Sequence, residues 1–239
     1  MSANKSINLI LLPGLLNDGR LWAHQLSALA PLAEIQVADL THADTMPQLA
    51  ASVLANAPPG PLALAGLSMG GYVALEIVRQ APPRVLALAL FDTSARADTP
   101  QARGDRYAAI AQAERDFSSV APALMQKQLH PDHLADAGIV ETIAQMAQAI
   151  GKDAYIRQQR AILSRIDSRP SLKEIACPTL VLCGREDGIT PIAMHQELRD
   201  GISGARLAIV EHCGHLSALE QPQAVSDAMQ GWLQAIEVS

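Results

Sequence analysis

Six short apolar runs, separated by longer stretches in which apolar residues recur every three to four positions, constrain this fold more than any other feature of the chain. The runs cover 8–12, 35–38, 62–66, 85–91, 179–183 and 207–210. A strand that is apolar at every position is buried on both faces, and strands alternating with helices are how a parallel sheet acquires covers on both sides. The predicted architecture is therefore α/β: a six-stranded, mainly parallel sheet with helices near 19–29, 46–56, 69–79, 191–199 and 221–236. The prolines at 58, 59 and 61 and the pair Pro82, Pro83 mark turns. Between Asp92 and Pro178 the alternation stops, and helical periodicity covers 101–116, 120–129, 139–150 and 153–164. This stretch reads as a helical cap, inserted at about 95–172, over the carboxyl ends of the strands. Tyr107, Phe117, Met125, Met146, Tyr155 and Ile162 are read as its packing residues.

Composition agrees with a single domain spanning 1–239, since 49% of the residues are hydrophobic and 18% charged, with no break between regions. A net charge of −6 argues against nucleic acid or anionic lipid as a partner. Residues 1–6 lead directly into the first strand without an apolar leader, and no run of eighteen apolar residues occurs, so a cytoplasmic protein with no membrane association is expected. Cys177, Cys183 and Cys213 lack metal-ligand spacing and are read as buried reduced thiols; no metal is expected. The sequence sets no oligomeric state.

Chemistry enters where the run at 62–65 feeds into Gly66, Leu67, Ser68, Met69 and Gly70. A serine on a sharp strand-to-helix turn needs small residues two before and two after it, and Gly66 and Gly70 supply them. Such a turn lifts the Ser68 hydroxyl above the sheet edge and aims the Met69 amide where a negative oxygen would form. A serine hydroxyl also needs a neutral imidazole to take its proton and a carboxylate to orient that imidazole. Asp187 lies on the loop after the fifth run and His215 on the loop after the sixth. Asp92, ending the fourth run, competes for the acid role, although it reads more naturally as a side chain tying down its own loop. His212 is the rival to His215. The order Ser68, Asp187, His215, each just beyond a strand's carboxyl end, suits convergence on one crevice of an open sheet. Trp22 and His24, His42, His130, His133 and His195 are read as surface or packing residues.

Leu11 to Leu15, the 66–70 turn, the 184–191 loop and Gly214-His215 together make the chain resemble the α/β-hydrolase family over nearly its whole length. The resemblance implies that the Leu15 amide joins Met69 in an oxyanion hole. Many relatives carry His-Gly where this chain has Pro13-Gly14, so a side-chain role given to that histidine is absent. The first strand begins almost at the start of the sequence, which suggests a minimal version without an opening antiparallel hairpin. The implied activity is serine hydrolysis of small-molecule carboxylic esters through an acyl-enzyme, with no cofactor. Arg160-Ala161-Ile162 and Asp167-Ser168-Arg169 resemble enzymes that open 3-oxoadipate enol-lactone, making a lactone the close alternative. Cleavage of carbon–carbon bonds and a non-catalytic small-molecule receptor are the other readings.

Overall fold

Each of the six apolar runs forms a strand in a computed structural model of the protein, which describes residues 7–236. The leader reading of residues 1–6 lies outside the described part. The strands are β1 (Ile7–Leu12), β2 (Ala33–Val37), β3 (Leu62–Leu67), β4 (Val85–Phe91), β5 (Thr179–Gly184) and β6 (Arg206–Val210). Every pairing is parallel, in the order β2-β1-β3-β4-β5-β6. The sheet is thus parallel throughout, where a mainly parallel one was expected.

Alternation along the strands divides the core in two. Leu9, Leu11, Ala63, Ala65, Ala87, Ala89 and Phe91 face one side, where they meet Trp22, Leu29, Val225, Met229 and Leu233. Ile10, Leu12, Leu62, Leu64, Leu88 and Leu90 face the other and meet Leu49, Val53, Val73, Ile77 and Leu198. The helices are α1 (Ala23–Leu29), α2 (Met46–Asn56), α3 (Met69–Gln80), then, in the long segment after β4, α4 (Pro100–Arg115), α5 (Val120–Gln128) and α6 (Ala137–Leu163), and finally α7 (Ile192–Gly201), α8 (Ser217–Glu220) and α9 (Pro222–Gln234). Burying both strand faces stabilises the sheet by about 1.5–3 kcal/mol per fully covered large aliphatic side chain.

Local chemistry explains the starts of three helices. Thr45 and Thr99 cap α2 and α4 through their hydroxyls, with Pro47 and Pro100 in the first turns, where a missing N–H costs nothing. Asp136 accepts the Gly138 and Ile139 amides to start α6. Gly151 takes φ 75° inside α6, so the two helical stretches expected there meet at a kink. The helix expected at 19–29 is instead a 3₁₀ turn, Gly19–Trp22, followed by α1. The four-residue α8 was not anticipated.

A third apolar cluster joins Ile110, Ala113, Val120, Ala147, Tyr155 and Leu163 from the segment after β4 to Leu16 from the loop after β1. Asp98, buried beneath this segment, accepts from Arg106 and Arg165 at 2.7 Å each and so ties the entry of the segment to its exit. Met146, Tyr155 and Ile162 are buried as expected. Phe117 and Met125 are only partly covered and line a cleft of about 450 Å³. Tyr107 contradicts its packing assignment: it is 57% exposed, because α4 buries only Ile110 and Ala113 and turns Tyr107 to solvent.

The chain runs from β1 outward to β2 and then crosses to β3 on the other side of β1. A reversal of this kind separates the loops after β1 and β3 and opens a crevice at the carboxyl end of the sheet.

Candidate active site

Ser68 stands in that crevice between β3 and α3, with φ 54° and ψ −115°. This conformation is costly for a residue with a Cβ and persists only where the surroundings impose it. Here they do. A Cβ on Gly66 would collide with the Gly70 backbone, and one on Gly70 would collide with the Leu12 carbonyl at the end of β1. The two glycines let strand, turn and helix close up around Ser68, as their spacing predicts. The Ser68 amide is fixed to the Phe91 carbonyl at 2.9 Å.

His215 Nε2 lies 2.9 Å from Ser68 Oγ, and His215 Nδ1 lies 2.8 Å from Asp187 Oδ2. The structure therefore brings together the three residues expected from sequence. Their geometry also sets the tautomer: the proton sits on Nδ1, facing the carboxylate, and Nε2 is free to accept from the hydroxyl. Asp187 is held by its own loop, with Oδ1 accepting the Ile189 and Thr190 amides at 2.8 and 2.9 Å and Oδ2 accepting the Thr190 hydroxyl at 2.7 Å. Burial works to raise the Asp187 pKa, but the facing imidazole and these donors outweigh it and hold the carboxyl at about 2. Burial likewise disfavours the charged imidazole of His215, and the Asp187 carboxylate overrides it, leaving the pKa above the ordinary histidine value.

The rival histidine, His212, does not reach Ser68; it is exposed, with φ 50°. Asp92 is not bonded to His215 either, and its reading as a tie for its own loop is corrected. Asp92 is fully buried, and its two oxygens accept the Gly184 amide and the Ser217 amide, both at 3.1 Å. Gly184 ends β5 just before the loop that carries Asp187, and Ser217 begins α8 just after the loop that carries His215. Its neighbour Thr93 donates its hydroxyl to the Ser68 carbonyl at 2.8 Å, and its amide donates to His195 Nε2 at 3.0 Å. Asp92 and Thr93 thus touch all three site loops from the end of β4. Burial first, and the nearby Asp187 charge second, push the Asp92 pKa up to about 8. His195, read from sequence as a surface or packing residue without a partner, is fully buried; burial lowers its pKa to about 4, and it serves as a neutral acceptor.

The loop after β1 passes beside the serine: a Cβ added at Gly14 would stand 3.4 Å from the Ser68 Cβ. Leu16, with φ 58°, gives its amide to Gln158 Oε1 from α6 at 3.1 Å, and Gln158 Nε2 donates onward to the Leu40 carbonyl. Among the described residues the Leu15 and Met69 amides donate to no protein acceptor. Gln158 was missed by sequence reading; it looks like any polar residue on an amphipathic helix, and its partner is 142 positions away. Trp22 packs in the core against Phe91, ring centroids 6.1 Å apart, as expected. Of the two segments that suggested a lactonase, Arg160-Ala161-Ile162 buries Ala161 and Ile162 in the core, and Asp167 and Arg169 pair with each other at the surface.

A family model described as alpha/beta hydrolase fold matches residues 35–222, and the chain belongs to this family of hydrolases. The chain is 27% identical over 191 residues to a pimeloyl-acyl-carrier-protein methyl ester esterase of Nitrosomonas europaea, covering 75% of this chain and 74% of the relative. It is 28% identical over 166 residues to 3-oxoadipate enol-lactonase 2 of Acinetobacter baylyi, covering 69% of this chain and 61% of that protein. A thermophilic esterase from Thermogutta terrifontis superposes with a TM-score of 0.89 at 26% identity, covering 98% of this chain and 91% of the esterase. Among the described residues no helix is long and apolar enough to cross a membrane.

Proposed function

We propose that this protein hydrolyses small carboxylic esters through an acyl-enzyme on Ser68. The observation that carries the reading is the continuous hydrogen-bonded line from Asp187 through His215 to Ser68. In the first half-reaction His215 Nε2 takes the Ser68 proton as Oγ bonds to the ester carbonyl carbon. The carbonyl oxygen, now negative, is held by the Leu15 and Met69 amides, the second of them at the N-terminus of α3. Collapse of this adduct breaks the bond to the alkoxy group, which leaves with the proton from His215. Water then repeats the sequence on the acyl-enzyme and releases the acid. Asp187 keeps Nδ1 protonated and stabilises the imidazolium without taking its proton. No cofactor takes part in these steps.

The segment 95–172 serves as the cap in this reading, with Leu16 and Gln158 linking it to the oxyanion loop. Similarity to an enzyme named as a methyl ester esterase supports an ester as the substrate class. Similarity to an enol-lactonase favours a lactone as the second reading, since the same attack opens a cyclic ester. A panel of p-nitrophenyl esters of increasing acyl length, run beside simple lactones and an enol-lactone, tests the proposal. Turnover of at least one ester is expected; turnover confined to lactones would transfer the assignment to the second reading, and hydrolysis of neither class would overturn both.

A further inference from the structure

We propose that His130, Asp132 and His212 form a binding site for a single divalent transition-metal ion of the zinc, cobalt or nickel type. One ligand atom from each of these residues lies within 4.8 Å of the other two. His130 Nδ1 and Asp132 Oδ2 are 3.6 Å apart, and the His130 and His212 rings stand edge-on, with centroids 5.9 Å apart. A tetrahedral ion with bonds of about 2.0–2.1 Å separates its ligand atoms by roughly 3.3 Å, so modest side-chain rotation closes the set. The parts that must move are free to do so: Asp132 and His212 are exposed, while His130, the fixed member, is buried. Two imidazoles and one carboxylate, with water completing the shell, suit borderline ions rather than calcium or magnesium, which prefer all-oxygen shells.

The surroundings hold His130 in place. Glu220, whose side chain is fully buried, accepts the His130 amide at 2.7 Å and pairs with His133 at 2.9 Å through the same oxygen. His133 packs on His130 with ring centroids 5.6 Å apart. Binding at Nδ1 displaces only a 3.2 Å contact from the Asp132 amide. His130 and Asp132 lie just past α5, which ends in backbone contact with the loop of His212 and His215, because the His215 amide donates to the Gln128 carbonyl at 2.6 Å. An ion here cross-links the 128–132 segment to the loop carrying His215. The site stands apart from the hydrolase reading and does not depend on it.

Cobalt(II) titration of the whole protein, followed by visible absorption, tests the site, with zinc competition and zinc-dependent thermal shift as second readouts. Wild type is expected to show saturable, one-to-one binding with four- or five-coordinate cobalt bands that zinc abolishes. His212→Ala and Asp132→Ala change exposed residues and are each expected to weaken binding by at least about tenfold. His42→Ala, which removes the exposed His42–Asp39 pair, is expected to leave binding unchanged. Equal affinity in wild type and His212→Ala, loss in His42→Ala instead, or no saturable binding would each overturn the proposal.

Discussion

Asp92 accepts the Ser217 amide at 3.1 Å, two residues past His215, while its other oxygen accepts the Gly184 amide at the end of β5. One buried carboxyl therefore sets the spacing between the loops bearing the base and the acid. Thr93, the next residue, holds the carbonyl of Ser68. Replacing Asp92 by Ala leaves two buried N–H groups without an acceptor, at about 1–3 kcal/mol each. It also loosens the alignment of His215 on Ser68, where a displacement near 1 Å is worth roughly 100-fold in rate. Asp92→Ala is expected to lower kcat by about 10–100-fold with KM little changed. A rise in KM with kcat intact would show that Asp92 governs substrate binding instead.

The pH dependence of kcat/KM reports on His215. The imidazole must be neutral to accept the Ser68 proton, and its pKa is raised above 6.5 because Asp187 outweighs the effect of burial. The inactive, protonated form therefore persists to higher pH than for an ordinary histidine. Activity is expected to rise with pH through a midpoint above 6.5. In Asp187→Asn the midpoint moves down and kcat falls by about 10⁴. A wild-type midpoint below 6 would contradict the ion-pair geometry.

Stability carries the opposite signature at alkaline pH. The pKa of Asp92 in the fold is about 8 against an ordinary 3.8, so the native state holds a proton that the unfolded chain releases between those values. That contribution is complete below about 4 and is lost as pH rises through 8. His195, lowered to about 4 from 6.5, stabilises in the other sense: its contribution is present above 6.5 and is lost as pH falls toward 4. The two oppose each other up to pH 6.5; above it the losses from Asp92 and from His215, whose pKa is also raised, act in the same direction. The Tm is expected to fall between pH 6.5 and 8.5, and to fall less in Asp92→Asn. Equal slopes would remove Asp92 as the cause.

Gly70 has no room for a methyl group, because its Cβ would meet the Leu12 carbonyl and backbone cannot step aside as a side-chain tip can. Gly70→Ala is expected to destabilise the protein by about 1–3 kcal/mol, or to displace Ser68 and abolish activity. Chemical denaturation measures the first and ester turnover the second; a fully stable, fully active variant would contradict the packed turn.

These relationships were unequally visible in the sequence. Strands that are apolar throughout announce themselves, and α2 and α4 begin where a threonine is followed by a proline in the first turn. Ser68, Asp187 and His215 were legible because a short-range pattern marks each: paired glycines, a strand-end loop, a glycine before a histidine. Side chains whose partners are remote were not. Nothing adjacent to Gln158 points to the Leu16 amide, and Asp92 looked like a local turn residue because its acceptor role depends on amides 92 and 125 positions away. Tyr107 misled for a related reason: helical periodicity shows that a face exists, whereas neighbouring elements decide whether it is covered.

The central claim rests on Ser68, and the rate of p-nitrophenyl acetate or butyrate hydrolysis by wild type and Ser68→Ala tests it most directly. The variant removes only the hydroxyl from a turn whose backbone is fixed by Gly66 and Gly70. A loss of about 10⁴–10⁶ in kcat/KM, with unchanged thermal stability, is expected. Equal rates in the two proteins would contradict the account.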